Sequence, residues 1–275
     1  MKTIVDSAKA GKLNWQEITR FAGLFRYLSL RDVLVRYKQT WAGFLWAIIR
    51  PLVQIVIFGF LSQFIERSNN YGDKFLFVAS GVIIWQLIST TITDTSNSLI
   101  NNANILTKVY FPKILLPASS LLVCLIDFAI ALVIFLIMFF TLKGMPGYEI
   151  VFLPFILIYA IVFCFSIGLF FATLNVKYRD IKFLLPFILQ IGFYVSPVFL
   201  STEFFMKLHV PQFLKYLFLL NPLVGIIDGF RFCFFGGTAI YDLPLFLGSI
   251  GITALLLIIG LRYFYRFEKS FTDYI

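Results

Sequence analysis

The chain is expected to be an all-α polytopic membrane protein, and two observations predict it. Apolar residues fill 60% of its 275 positions and charged residues only 13%, outside the range of a soluble domain. The apolar positions also gather into runs without alternation. LLVCLIDFAIALVIFLIMFF, residues 121–140, is apolar on every side apart from Asp127. A transmembrane β-barrel instead needs segments of ~10 residues that alternate between lipid and lumen. A helix needs ~20 apolar residues to cross ~30 Å of hydrocarbon, so the chain has room for several spans and little else.

Residues 1–43 form an amphipathic N-terminal region, and residues 44–275 a transmembrane domain. In the first, Asn14 and Glu17 have capping-box spacing. Trp15, Ile18, Phe25 and Leu28 follow at helical spacing, interspersed with Arg20, Arg26, Arg31 and Arg36. Such a helix lies in the headgroup plane, either as an orientation anchor or as part of an entrance. Six spans are expected at about 44–65, 75–98, 115–141, 151–174, 183–200 and 244–264.

The connection at about 201–243 is too apolar for a loop, yet it is broken by Pro211, Asn221-Pro222, Gly225 and Gly229. Short helices that dip into the outer leaflet and return satisfy this pattern; a seventh and eighth short span is the alternative. Either leaves both termini on one side. Of the 23 basic residues, only Arg67, Lys74, Lys143, Lys207, Lys215 and Arg231 fall on the opposite side. Both termini are therefore expected in the cytoplasm, and the net charge of +9 is mainly a topology signal.

Catalytic signatures are sparse. The single histidine, His209, cannot form a paired-histidine metal site and suits an interfacial position. Cys124, Cys164 and Cys233 lack metal or disulfide-framework spacing and read as small hydrophobes. Gly11-Lys12 is followed by Leu13 and lacks the earlier glycine of a phosphate loop, so any energy source lies outside the chain. Asp127, and Asp94 within STTITDTSNS, are costly in a span. With Thr90, Asn97 and Ser98, Asp94 marks a helical face that either packs between helices or lines a path.

Four ordered stretches, RDVLVRYKQTWAGFLWAIIRPL, NNANILTKVYFPKILLPAS, LNVKYRDIKFLLPFI and NPLVGIIDGFR, resemble the membrane subunits of ABC-2-type polysaccharide exporters. The resemblance spans nearly the whole chain. Its departures include Ala42 before Gly43, where the family has leucine, and Arg50 before Pro51.

The resemblance implies a homodimeric permease in the bacterial cytoplasmic membrane, driven by two separate ATPase subunits that bind ATP and magnesium. The chain itself carries no cofactor. The cargo would be a polyprenyl-diphosphate-linked polysaccharide, such as an O-antigen for lipopolysaccharide biosynthesis. Asn104, Lys108, Tyr110, Phe111, Pro112 and Lys113 correspond to an ATPase-coupling segment, and Lys177, Tyr178, Arg179 and Asp180 to a second contact.

For the substrate path, Arg31, Arg36, Lys38 and Arg50 suit a diphosphate, because an arginine fork donates two parallel hydrogen bonds. Trp41, Trp46, Trp85, Phe193 and Tyr194 suit the apolar C–H faces of a sliding glycan. Asn221, Pro222, Asp228 and Arg231 fall in an external gate, where Asp228 and Arg231, three apart, would pair. Two other functions fit the composition. A small-molecule ABC-2 exporter is one; a membrane glycosyl- or acyltransferase is the other, and the sparse acids count against it.

Overall fold

The structure, a computed structural model, describes residues 19–38, 45–65, 71–178, 180–198, 201–237 and 242–271. The Asn14–Glu17 capping pair, Trp15, Ile18, Trp41 and Arg179 lie outside the described residues. In chain order the α-helices are α1 (Ala22–Lys38), α2 (Leu45–Ile65), α3 (Tyr71–Asn101), α4 (Ala103–Leu106), α5 (Leu115–Leu142) and α6 (Leu153–Lys177). They continue with α7 (Ile181–Val195), α8 (Thr202–Lys207), α9 (Gln212–Leu219), α10 (Pro222–Phe235) and α11 (Leu243–Phe267). Short 3-10 turns precede α6 at Tyr148–Phe152 and follow α11 at Glu268–Ser270.

Four of these segments are long and apolar enough to cross a membrane: Gly72–Asn101, Leu115–Leu142, Tyr148–Lys177 and Leu243–Phe267. The α9–α10 pair, bent by 67°, brings the number to five if it counts as one span. Helix α3 is the hub. It packs against α2, α5, α6 and α10, and 72% of its apolar window is buried, against 28%, 33% and 22% in the other three. That placement suits its polar run at 89–98: serines and threonines on a central helix face protein, where they can bond to carbonyls.

Six spans were expected, and the first and fifth come out short. The apolar part of α2 runs from Ile48 to Phe60, with Pro51 inside the helix. Helix α7 stops at Val195 instead of reaching residue 200, so it covers about 22 Å at 1.5 Å per residue. Its end is set by Pro197: the residue before a proline is pushed out of the α region, and Ser196 is extended at φ −90°, ψ 153°.

The broken external segment follows its capping chemistry. The Ser201 side chain accepts from the Phe204 amide to start α8, and the Asn221 side chain accepts from the Leu223 amide to start α10, with Pro222 at the first turn. Helix α10 is buried along nearly its whole length against α3, α6 and α11. Gly225 makes this possible, because a Cβ there would sit 2.6 Å from Ser249 Oγ and 3.1 Å from the Tyr159 hydroxyl.

Two apolar cores result. The larger one joins α3, α5, α6 and α10 and contains a cluster of Phe135, Phe139, Phe230 and Phe234, with ring centroids 4.9–6.0 Å apart. The smaller one sits at the opposite end, where α1, the 102–114 loop, α6 and α11 meet around Leu28, Phe111, Phe264 and Phe271.

Inside a bilayer the transfer gain of an apolar ring is small, so the larger core is held mainly by packing. Phe234→Ala is expected to lower unfolding free energy by about 3 kcal/mol, the low end for a Phe-to-Ala cavity. Thermal unfolding in detergent checks this, and a change under about 0.5 kcal/mol would show that the ring cluster contributes little packing energy.

Candidate functional site

Helix α1 lies along α5 with its charged side turned inward. Tyr27, Leu30 and Leu34, which share a helical face, are exposed, whereas Arg31, Asp32 and Arg36 point at α3 and α5. Arg20 and Arg26 stay exposed, so only two of the four interspersed arginines turn toward the spans. The cause lies on the spans. Asp94 of α3 and Asp127 of α5 sit near this end of the bundle, and Arg36 reaches both: Nη2 is 2.6 Å from Asp94 Oδ2 and Nη1 is 2.8 Å from Asp127 Oδ2. The Tyr37 hydroxyl donates to the other oxygen of Asp127, and the Cys124 thiol donates to Asp94 over 3.4 Å. Burial opposes the Arg36 charge, but the fields of Asp94 and Asp127 outweigh it and raise its pKa above the ordinary arginine value.

A second group of bonds continues the seam. Arg31 donates to Asp32 at 2.6 and 2.9 Å and to the Asn102 side chain at 2.5 Å, and Ser119 of α5 donates to Asp32 over 3.2 Å. Between these groups lies a cavity of about 500 Å³, lined by Arg31, Asp32, Arg36, Asp94, Ser98 and Asn102 among others. Its chemistry is not that of an open anion site. Two guanidiniums face three carboxylates, so both arginines are already balanced and the cluster is net negative.

The other expected path residues are placed elsewhere. Lys38 ends α1 and is exposed; Arg50, in α2, is exposed and does not line the cavity. Trp41 and the Trp46 side chain lie outside the described residues. Trp85, Phe193 and Tyr194 do come together: Phe193 lies 5.5 Å from both Trp85 and Tyr194, and 5.0 Å from Phe58 of α2. Trp85 is only 8% exposed, held against α7 where Gly192 leaves room for it, while Tyr194 stands out at 65%.

The 102–114 loop divides by face. Asn104, Lys108 and Tyr110 are exposed; Phe111 is buried, and Pro112 and Lys113 are half-buried. At the α6–α7 corner, Tyr178 and Asp180 are exposed, and Lys177 lies over the rings of Tyr178 and Phe267.

At the far end, Asp228 and Arg231 form the expected i,i+3 pair at 3.6 Å, both buried. Sequence reasoning missed what surrounds them. Thr202 of α8 donates to Asp228 over 2.5 Å, Arg231 donates to the Val198 carbonyl over 2.7 Å, and its guanidinium stacks 3.6 Å from the Phe77 ring centre. Gly81 makes the approach possible, since a Cβ there would lie 2.2 Å from the Val198 carbonyl oxygen and 2.8 Å from Arg231. Asn221 and Pro222 act as the cap and first turn of the same helix. His209 is exposed, and among the described residues no three His, Cys, Asp or Glu side chains converge as metal ligands.

A family model described as ABC-2 type transporter matches residues 23–235. The chain belongs to that family. The O-antigen export system permease protein RfbA of Klebsiella pneumoniae is 27% identical over 249 residues, covering 90% of this chain and 92% of that protein. A protein of the same name from Myxococcus xanthus is 25% identical over 222 residues, covering 80% and 83%. The polysialic acid transport protein KpsM of Escherichia coli is 25% identical over 206 residues, covering 73% and 77%. In this ABC-2 chain the matched region includes the Arg36 cluster, the 102–114 loop and the Arg231 clamp, and excludes the Glu268–Ser270 turn.

Arg36→Gln leaves two carboxylates without their cation. The expected loss is about 2 kcal/mol, below the ~3–5 kcal/mol of a fully buried pair because the Arg36 side chain keeps 30% exposure. Adding Asp94→Asn and Asp127→Asn should recover at least half of that loss. Thermal unfolding of wild type, Arg36→Gln, Asp94→Asn/Asp127→Asn and the triple variant measures it, and strictly additive losses would show that the three groups do not act together.

Proposed function

We propose that the chain is the membrane-spanning permease of an ATP-driven exporter that moves a polyprenyl-diphosphate-linked polysaccharide out of the bacterial cytoplasm. One observation carries the reading: the chain matches, over most of its length, relatives named for the export of O-antigen and the transport of polysialic acid. It works as a homodimer beside two ATP-binding subunits that hold ATP and magnesium, and it does no bond chemistry of its own.

The topology of this reading has six crossings, with both termini in the cytoplasm. The four long apolar segments support it, as do α2 and α7 as shorter crossings whose ends carry Arg50 and Lys182. The bend between α9 and α10 supports a re-entrant pair on the outer side. The split of the 102–114 loop supports a coupling role in which exposed Asn104, Lys108 and Tyr110 meet the ATPase with Tyr178 and Asp180, while Phe111 and Lys113 bear on the permease itself.

Charge balance sharpens the substrate path. Arg31 and Arg36 are neutralised by carboxylates, so the cations open to a diphosphate are Lys38 and Arg50, with Tyr194 offering an aromatic face to sugar. The Arg231 clamp then frames the outer end as a structural gate post, without touching cargo.

Deleting the gene should abolish surface polysaccharide, and the wild-type chain co-expressed with its ATPase should restore it and copurify with that subunit. Arg50→Gln is expected to reduce export about tenfold, the effect of losing one contact of ~1.4 kcal/mol, with membrane insertion and ATPase binding unchanged. Full export by that variant would remove Arg50 from the path, and a deletion strain with normal surface glycan would remove the export reading itself.

A further inference from the structure

The C-terminal end of α11 meets the two loops assigned above to the ATPase. Glu268 takes two bonds from Lys113: the Lys113 amide donates to Glu268 Oε1 over 3.1 Å, and Lys113 Nζ donates to the Glu268 carbonyl over 2.7 Å. Phe271, 1% exposed, fills the small core beside Phe111, Ile114 and Leu106, with its ring 5.3 Å from Phe264 and Lys113 Nζ 5.5 Å above it. One turn earlier, Phe267 receives Lys177 from the α6–α7 corner, Nζ lying 5.3 Å from the ring. Both loops therefore bear on one turn, residues 267–271.

The loop needs such support. Helix α4 has four residues, no side-chain cap at its N-terminus and only the exposed Thr107 hydroxyl on its last carbonyls, and a single helical turn has little stability of its own. A push on Asn104, Lys108 and Tyr110 would be lost in bending the loop unless something behind it were stiff. The groups behind it are Phe111, Ile114 and Lys113, and their partners are Phe271 and Glu268.

We propose that the turn Glu268–Phe271 is a positioning clamp for ATPase coupling: it locks the 102–114 loop and the α6–α7 corner into one rigid body, so that movement of the ATP-binding subunits reaches the spans. Glu268 and Phe271 act through Lys113, Phe111 and Lys177, and touch neither nucleotide nor cargo. The proposal rests on the coupling role given to those loops above.

The test is the ratio of glycan exported to ATP hydrolysed, measured in cells and on the purified complex with its ATPase. The Glu268→Ala/Phe271→Ala variant is expected to insert and copurify with the ATPase, to hydrolyse ATP within twofold of wild type, and to export at least tenfold less glycan per ATP. Glu268→Gln, which keeps an acceptor for the Lys113 amide, should stay within twofold of wild type, and Glu268→Ala alone should fall between them. If the double variant fails to accumulate, the comparison of Glu268→Ala with Glu268→Gln decides. An unchanged ratio in Glu268→Ala/Phe271→Ala, equal losses in Glu268→Ala and Glu268→Gln, or a loss of export matched by loss of ATPase assembly each overturns the clamp. A wild-type chain that exports without any ATPase would instead overturn the coupling role on which it rests.

Discussion

One guanidinium, that of Arg36, satisfies two carboxylates on two different spans, and the arrangement of this end of the molecule depends on it. Asp94 and Asp127 lie on membrane-crossing segments, where a carboxylate is costly unless a cation stands beside it. Their cation comes from a helix outside the spans, so α1 is drawn against α3 and α5 with Arg31 and Arg36 inward, Arg26 exposed, and Tyr27, Leu30 and Leu34 outward. Three consequences follow together. Helix α1 becomes part of the bundle wall, the space beneath it becomes a polar cavity beside a net negative ion cluster, and Leu28 is carried into the small core shared with the 102–114 loop. The same ion cluster that fixes α1 also neutralises Arg31 and Arg36.

The two ends of the bundle solve similar problems in similar ways. At the end near α1, an unsteady loop is held from behind by Lys113, Glu268 and Phe271. At the other end, residues 196–198 after α7 are held by Arg231, which binds the Val198 carbonyl and its own Asp228 while stacking on Phe77. In each case a long cationic side chain donates to a backbone carbonyl near the end of a helix, Lys113 to that of Glu268 and Arg231 to that of Val198. Between them, α3 and the phenylalanine cluster provide a body that can transmit displacement from one end to the other with little deformation, because close-packed interiors are stiff.

Much of this was legible in the sequence where the cause was local. The runs at 75–98, 115–141, 151–174 and 244–264 correspond to helices Tyr71–Asn101, Leu115–Leu142, Leu153–Lys177 and Leu243–Phe267. The three-residue spacing of Asp228 and Arg231 announced their pairing. What escaped was long-range. Arg36 and Asp94 are 58 residues apart, and nothing periodic joins them, although two acids in spans with few basic residues nearby already required an outside cation. Tyr110 and Phe111 are chemically alike neighbours, and only the fold turns one outward and the other into the core. The fifth span was read too long because Phe199 and Leu200 continue the apolar run, whereas Pro197 ends the helix before them.

The central claim is that this chain conducts a lipid-linked glycan under the drive of a separate ATPase. It is tested most directly by reconstituting the purified chain with that ATPase in liposomes that carry a fluorescent polyprenyl-diphosphate oligosaccharide, then following its accessibility to an impermeant sugar-oxidising reagent. Transfer of intact glycolipid across the bilayer that needs ATP, magnesium and both proteins is the predicted result. Transfer by the chain without ATP, or a glycolipid whose covalent structure has changed, would contradict the account.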